Sequence, residues 1–362
     1  MSHGPGVVEG PGPGRREYLD WLRGIAVLIM IEAHTLDSWT RVEDRGTPAF
    51  GWALLIGGFG APIFLFLAGL ALALAAGSRL RRGRTDAEAA ALARQRGWQI
   101  FGLAFLFRLQ SMVISGGALE SVLKVDILNV MGVSMLAAAV LWGLGRDRWS
   151  RAALLVGAAV AIAMLTPIVR STPLFDPLPD RLEWYLRPYP GRTTFTLFPW
   201  AAFLPAGVAV GLWLDSTRTP QEERRVILAL AILGPLIALG GYAASWLPPI
   251  YAETNFWTSS PTFFFLRVGI LISLLPIAYA WTRLFPGRSP LREFGIASLF
   301  VYWIHVEMVY GVLSAPLHKQ LPFGQSLAAF AVFSLILFGL VKLKDYLVRT
   351  RPYRSPLQSQ HG

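Results

Sequence analysis

The sequence predicts an all-α polytopic membrane protein with about ten transmembrane helices. Hydrophobic residues make up 54% of the 362, charged residues 15%, and the mean hydropathy is positive, a composition too apolar for one ordinary soluble domain. Apolar runs long enough to cross a bilayer as helices recur along the chain. They lie near 18–40, 52–76, 98–115, 127–145, 152–169, 197–214, 226–246, 263–282, 294–314 and 325–343.

The basic residues between these runs predict their orientation. With the N-terminus inside, the internal segments hold 22 Lys and Arg residues and the external segments hold eight. The positive-inside rule therefore predicts that both termini are cytoplasmic. This asymmetry explains most of the net charge of +11, so we expect no nucleic-acid partner. The predicted division is a disordered N-terminus at 1–17, a transmembrane domain at 18–345 and a basic cytoplasmic tail at 346–362.

Several classes of chemistry lack support in this sequence. It contains no cysteine, which removes disulfides, thiolate metal ligands and a cysteine nucleophile. Its histidines are well separated, so no metal is expected. The sequence has no HExxH, Walker, GxSxG or dinucleotide motif, and readings as a metalloprotease, an ATPase, a serine hydrolase or a Rossmann enzyme have no basis.

Ionisable residues interrupt the first apolar run at Arg23, Glu32, His34 and Asp37. Charges inside a bilayer are costly and tend to mark functional sites. Arg23 and His34 are close to three helical turns apart, so they project from nearly the same face, roughly 16 Å apart along the axis. Asp37 follows His34 by one turn, a spacing that lets its carboxylate accept the imidazole N–H and orient the ring. Glu32 lies about 200° round the helix and is expected to pair with another span.

Two of these predictions have alternatives that the sequence leaves open. His305, in SLFVYWIHVEMVYG, is the other histidine within a predicted span. It is either a second functional histidine or an interhelical hydrogen-bond donor. Arg23 is either part of the site or a snorkelling partner of Asp20 at the inner interface.

Polar residues also occur deep in later runs. Arg108 and Arg267 require a carboxylate, a carbonyl or a ligand as partner. Asp126 and Asn129, one turn apart where the fourth run begins, could serve as partners, or they could cap that helix.

The internal loop at 77–97 is dense in arginine. Its residues could hold a polyphosphate, or they could face anionic lipid headgroups, and both readings stay open. The arginines are Arg79, Arg81, Arg82, Arg84, Arg94 and Arg96.

These motifs, in this order, resemble those of the transmembrane acyltransferase superfamily. The opening helix of that superfamily carries an arginine and a histidine separated by ten residues, as Arg23 and His34 are within LDWLRGIAVLIMIEAH. Further similar segments are IFLFLAGLALAL, RQRGWQIFGLAFLFR, VDILNVMGVS and SLFVYWIH. WLRGIAVLIMIEAH and VDIL are most similar to bacterial relatives of heparan-α-glucosaminide N-acetyltransferase, and the acyltransferase-3 branch is the near neighbour.

The resemblance implies transfer of an acyl group, usually acetyl, from cytoplasmic acyl-CoA to a hydroxyl or amine on the outer side. It implies that His34 is the acyl-transfer base and Arg23 a pore or donor-side residue. Arginines of the internal loop would bind the CoA phosphates, and those selected are Arg81, Arg82, Arg94 and Arg96.

One departure from the family limits what can be carried over. In the lysosomal branch an asparagine occupies the position of His34, and a histidine in the following lumenal loop is assigned the chemistry. Here that loop, TRVEDRGTPAFGW, has no histidine, so the base cannot come from it. The substrate and mechanism of the lysosomal enzyme are therefore not transferred to this chain.

The sequence thus predicts an acyl-CoA-dependent acyltransferase of the bacterial cytoplasmic membrane, with a sugar or glycolipid of the envelope as acceptor. Its oxyanion donor is Arg108, Arg267, Asn129 or a backbone amide, and a homodimer is left open. The alternative is a proton-coupled transporter or lipid flippase with the charges of the first span as its relay. The two halves of the chain show no internal repeat, which favours the enzyme.

Overall fold

The computed structural model describes residues 16–115 and 118–350, and in these ranges the chain is helical between short connections. The all-α prediction is confirmed. The α-helices are α1 (Glu17–Trp39), α2 (Pro48–Gly57), α3 (Gly60–Arg81), α4 (Asp86–Ser115), α5 (Ile127–Leu144), α6 (Arg148–Ser171), α7 (Asp180–Leu186), α8 (Leu197–Trp200), α9 (Phe203–Asp215), α10 (Pro220–Ala244), α11 (Pro261–Leu284), α12 (Pro290–Ile296), α13 (Ser298–Tyr310) and α14 (Phe323–Thr350). Short 3₁₀ helices lie at Val42–Gly46, Leu119–Leu123, Pro173–Phe175 and Val312–Leu317.

Eight helical segments of the described chain are long and apolar enough to cross a membrane. They coincide in order with eight of the ten predicted runs. Helices α2 and α3 together form the first of the eight segments, which matches the predicted run at 52–76. The two remaining runs differ from a plain apolar span. The run at 18–40 is α1, which carries several charges, and the run at 294–314 divides into α12 and α13 at Ala297.

The predicted terminal segments are described only in part. Helix α14 continues to Thr350, so the first residues of the predicted tail at 346–362 are helical. The rest of that tail and residues 1–15 of the predicted disordered N-terminus lie outside the described residues.

One end of the helix bundle, which we call the basic end, gathers the starts of α1, α4, α6, α10 and α12 and the ends of α3, α5, α9 and α11. Ion pairs connect the helices there: Arg16 lies 2.7 Å from Glu223, and Arg292 lies 2.8 Å from Glu17. The opposite end, where α1 and α13 finish, is called the histidine end below.

Helix α1 is central, which explains how a charged helix is tolerated in an apolar bundle. Its residues contribute to one hydrophobic core with α3, α9, α10 and α11, and to another with α12, α13 and α14. Fourteen of its residues are buried. Because neighbouring helices surround α1, its buried polar side chains, which are Asp20, Glu32, Thr35 and Ser38, lie against protein rather than lipid.

Helices α3 and α9 cross closely at two glycines. A Cβ added at Gly69 would overlap the carbonyl oxygen of Leu204, and one added at Gly207 would overlap that of Phe66. Small residues permit such close backbone approach between membrane helices. This crossing fixes the position of α3, which forms one wall of the cavity described next.

Candidate active site

Two histidines from opposite parts of the chain meet at the histidine end. The Nδ1 atom of His34 on α1 lies 2.8 Å from the Nε2 atom of His305 on α13. The ring planes differ by 3° and the centroids are 5.0 Å apart, so the rings lie edge to edge, as a hydrogen bond between ring nitrogens requires. His305 is completely buried.

The hydrogen-bond network determines which nitrogen carries each proton. The Nδ1 of His305 lies 2.9 Å from the carbonyl oxygen of Val301, and because a carbonyl can only accept, this Nδ1 carries a hydrogen. In the neutral ring, the Nε2 of His305 is then an acceptor, and His34 must donate to it from Nδ1. The Nε2 of His34 therefore keeps a free lone pair. His305 accepts across the helix interface, whereas the sequence had suggested an interhelical donor as one alternative.

Further bonds hold α1 against α13 beside the pair. The hydroxyl of Ser38 and the indole N–H of Trp39 both donate to the carbonyl oxygen of Val309, at 3.0 and 3.3 Å. This carbonyl lies one turn beyond His305. The end of α1 is thereby fixed, and the two imidazoles keep their register.

Asp37 does not have the role that its spacing suggested. The predicted acceptor for the imidazole N–H of His34 is replaced by His305. The Asp37 carboxylate instead accepts from the Tyr310 hydroxyl at 3.1 Å and pairs with Arg45 at 3.6 Å, and 60% of its side chain is exposed. One helical turn does bring the two side chains to the same face, since Asp37 and His34 line the same cavity, but the Asp37 carboxylate bonds to Tyr310 and Arg45 instead of the imidazole.

His34 lines a cavity of about 1330 Å³, called the main cavity, which extends to the basic end. Its walls come from α1, α3, α4, α12 and α13, with the start of α5. On α3 the lining recurs every three or four residues, which is the period of one helix face. Small side chains on that face leave the space open. The α3 stripe consists of Phe64, Leu67, Ala68, Ala71, Leu72, Ala75, Ala76 and Arg79.

At the basic end, Arg79 and Arg96 line the main cavity together with Gln95 and Gln99. Arg96 was among the predicted phosphate ligands. Arg79 belongs to the same loop but was not selected, although its position on the α3 stripe could have indicated it.

The other three predicted loop arginines do not line the main cavity. Arg81 lies 2.7 Å from Asp215, whose carboxylate packs against Gly77. Arg94 lies two residues before Arg96 and so points about 200° away on α4. Arg82 and Arg94 are exposed at the surface.

Two further charged residues of α1, Arg23 and Glu32, lie between the basic end and His34. Arg23 lines the main cavity and lies 3.0 Å from Asp20, so the expected pair with Asp20 is present, and a role of Arg23 in the site stays a prediction. Glu32 is buried, and its Oε2 has no hydrogen-bond partner among the described residues. The expected pairing of this oxygen with another span is therefore not found in the part of the chain that is described.

Three oxyanion-donor candidates occupy different places. Arg108 lines the main cavity and pairs with Asp126 at 3.1 Å. Asp126 and Asn129 cap the start of α5 in a reciprocal pair, and Asn129 donates to the Tyr185 hydroxyl at 3.3 Å. Both sequence readings of Asp126 are therefore realised. Arg267 lies against a separate cavity, which leaves Arg108 as the candidate that lines the main one.

The described residues contain no group of three or more His, Asp or Glu side chains placed to hold a metal ion. Fold and cavity define an integral membrane protein with an imidazole pair, one ring half-buried and the other buried, beside a cavity whose lining extends to the basic end. Residues 15–244 match the family model described as heparan-alpha-glucosaminide N-acetyltransferase, catalytic. The chain belongs to this family of membrane acetyltransferases, and the resemblance seen in the motifs is confirmed. A comparison with curated proteins found no match.

The matched range contains α1 and His34 but ends at the close of α10. His305 lies beyond it. The family match therefore does not include the hydrogen-bond partner of His34, which is identified by the tertiary structure.

Proposed function

We propose that this protein transfers an acyl group, acetyl in the first instance, from acyl-CoA to a hydroxyl or amine of an envelope sugar or glycolipid. The observation that carries the proposal is the free Nε2 of His34, in a cavity that begins at two arginines. The basic end faces the cytoplasm, both termini lie there, and the membrane is the bacterial cytoplasmic membrane, as the positive-inside rule favours.

Arg79 and Arg96 bind the phosphates of the donor at the basic end. Guanidinium groups form strong charge-assisted hydrogen bonds to phosphate. Beyond them, the apolar α3 stripe suits a slender arm that carries the thioester. From Gly60, beside Met30 on α1, to Arg79 the α3 axis rises about 28 Å. This is close to the hydrocarbon thickness of a bilayer, roughly 30 Å.

His34 acts as the general base. Its Nε2 accepts the proton of the acceptor hydroxyl or amine as that group attacks the thioester carbonyl, so a C–O or C–N bond forms and the C–S bond breaks. The proton then passes from Nε2 to the departing thiolate. His305 accepts the Nδ1 hydrogen of His34 throughout and stabilises the transient imidazolium.

Arg108 supplies positive charge for the oxygen of the attacked carbonyl. It is held by Asp126, which is itself fixed by the backbone N–H groups at the start of α5. A prepositioned cation can stabilise the charge that develops on this oxygen without reorganising during the reaction.

The rival function is a proton-coupled transporter or lipid flippase. One observation favours it: the buried Glu32, on the same helix as His34, has a carboxylate oxygen without a partner among the described residues, as a proton relay would use. The main cavity would then carry a solute rather than an acyl donor.

The test uses purified protein in proteoliposomes, with labelled acetyl-CoA on one side and a hexosamine acceptor on the other. We expect labelled acceptor to form, and His34→Ala to retain acetyl-CoA binding while losing about 10²- to 10⁴-fold in transfer rate. Wild-type transfer by His34→Ala would overturn the mechanism. Absence of acetyl-CoA binding in the wild type would favour the transporter.

A further inference from the structure

A second cavity, of about 230 Å³, lies at the histidine end between α6, α8 and α11. It is lined by two arginines, Arg170 from the end of α6 and Arg267 from the first turns of α11. No step of the proposed transfer uses either residue. We therefore asked what ligand these two side chains would bind.

Aromatic rings hold the guanidinium of Arg267 in place. Its Cζ atom lies 4.0 Å from the ring centroid of Phe263, 5.6 Å from that of Trp200 and 5.8 Å from that of Phe59. Cation–π contacts of this kind orient the planar group. They do not satisfy its N–H donors, and the Nε of Arg267 is buried without a hydrogen-bond partner among the described residues.

Arg170 is also incompletely satisfied. One of its terminal nitrogens donates to the carbonyl oxygen of Phe198 at 3.1 Å, while its Nε is buried and unpartnered in the described chain. Neither arginine forms an ion pair within residues 16–115 and 118–350. Two guanidinium groups that share a small cavity without a carboxylate make a site that lacks its anion.

The second cavity is too small for a whole substrate, and it adjoins the main one. Thr194 and Trp200 line both cavities. Ligand pockets usually span about 300–1,000 Å³, so 230 Å³ suits one group of a molecule whose remainder lies in the main cavity. The lining also includes Thr258, Ser260 and Trp257, whose side chain is exposed.

We propose that the second cavity binds a phosphate group of the acyl acceptor, so that the acceptor is a phosphorylated sugar or a sugar phosphate carried on a lipid. A phosphate monoester offers three strong acceptor oxygens, and a lipid-linked diester offers two on a tetrahedral centre; these can reach arginines from two helices, whereas the two oxygens of a carboxylate lie in one plane. The site also lies where α6 ends and α11 begins, and both helices are long and apolar enough to cross a membrane. This inference rests on the proposed function.

The first experiment measures binding without a donor, so it does not depend on transfer. Titration calorimetry compares glucosamine 1-phosphate with glucosamine on the wild-type protein, and we expect the phosphate to improve affinity about 10- to 100-fold. Arg267→Gln should remove that gain, and Arg267→Lys should restore part of it. Arg181→Gln, which changes an exposed arginine of α7, should keep it. Equal affinity for the two sugars would overturn the inference.

Two further probe compounds in the binding experiment identify the kind of molecule that carries the anionic group. A dodecyl-linked glucosamine phosphate tests a lipid carrier, and tighter binding than that of the soluble phosphate assigns the site to a glycolipid. Tighter binding of the soluble compound assigns it to a free sugar phosphate. A glucuronate-linked glucosamine tests a carboxylate, and an equal gain with this probe would overturn the choice of phosphate.

Kinetics then separate this inference from the proposed function. With acetyl-CoA as donor, Arg170→Gln should raise KM for glucosamine 1-phosphate toward that for glucosamine, and the donor KM should not change. No acetyl transfer to any sugar, with phosphate binding intact, would refute the proposed function and leave the second cavity as a phosphate site of another reaction. Transfer with no preference for the phosphorylated sugar would refute the inference alone.

Discussion

The Nδ1 of His34 lies 2.8 Å from the Nε2 of His305, although the two residues are 271 positions apart in the chain. This bond joins the first long helix to α13. It fixes the tautomer of His34 and leaves Nε2 as the basic nitrogen at the main cavity. The predictions below follow from this pair and from the cavity that it faces.

Replacing His305 should lower the chemical step rather than donor binding. His305→Phe removes the acceptor for Nδ1 of His34, and we expect kcat to fall about 10²-fold, with little change in KM for acetyl-CoA. His305→Gln keeps an acceptor oxygen near the same place and should recover much of the rate. Steady-state kinetics measure both, and equal losses in the Phe and Gln variants would show that His305 has no orienting role.

Arg79 and Arg96 should determine donor affinity. Charge-assisted hydrogen bonds contribute about 1.5–3 kcal/mol when well formed, and partial exposure here reduces the expected loss to about 10-fold in Kd per arginine. Binding of acetyl-CoA to Arg79→Gln and Arg96→Gln would be measured by calorimetry. Arg94→Gln, on the other side of α4, is the matched control. A loss in the control equal to that in Arg96→Gln would mean that general surface charge attracts the donor.

A bulky residue on the α3 stripe should block the main cavity. Ala71 lines it, and Ala71→Trp would fill space that the donor arm needs. Misplacing reacting groups by 1 Å can cost about 10²-fold in rate, and we expect at least that loss in kcat/KM. Leu106→Trp, on an exposed part of α4, should transfer normally. An active Ala71→Trp enzyme with intact folding would exclude the main cavity as the donor path.

The crossing of α3 and α9 should tolerate no side chain at Gly207. Because a Cβ there would overlap the Phe66 carbonyl, Gly207→Ala forces the helices apart and should destabilise the protein by about 1–3 kcal/mol. Thermal unfolding in detergent measures the change. Gly143→Ala has nothing within 4 Å of the added Cβ and should be neutral or stabilising by up to about 1 kcal/mol. Equal melting temperatures for the two variants would contradict the close crossing.

The sequence by itself determined the membrane class and ten apolar runs, eight of which coincide with helices long and apolar enough to cross a membrane, and it singled out the charged first helix. These are local properties, because the length of an apolar run and the phase of residues on one helix can be read without knowing the neighbours. The angular spacing of residues on a helix could also have excluded Arg94 as a phosphate ligand beside Arg96, because residues two apart lie on opposite faces of α4. Helical spacing could not exclude Arg81 as a phosphate ligand, because its ion pair with Asp215 forms only when α3 packs against α9.

The tertiary structure decided the partner of His34. Spacing along α1 offered Asp37, one turn away, but side chains on one face need not bond when another helix supplies a better-placed group. Helix α13 places His305 beside the Nδ1 of His34, and the Asp37 carboxylate accepts a hydrogen bond from Tyr310 instead. Long-range packing also put Arg170 and Arg267 against one cavity. The local sequence does not predict these contacts, because they depend on how helices that are far apart in the chain pack together.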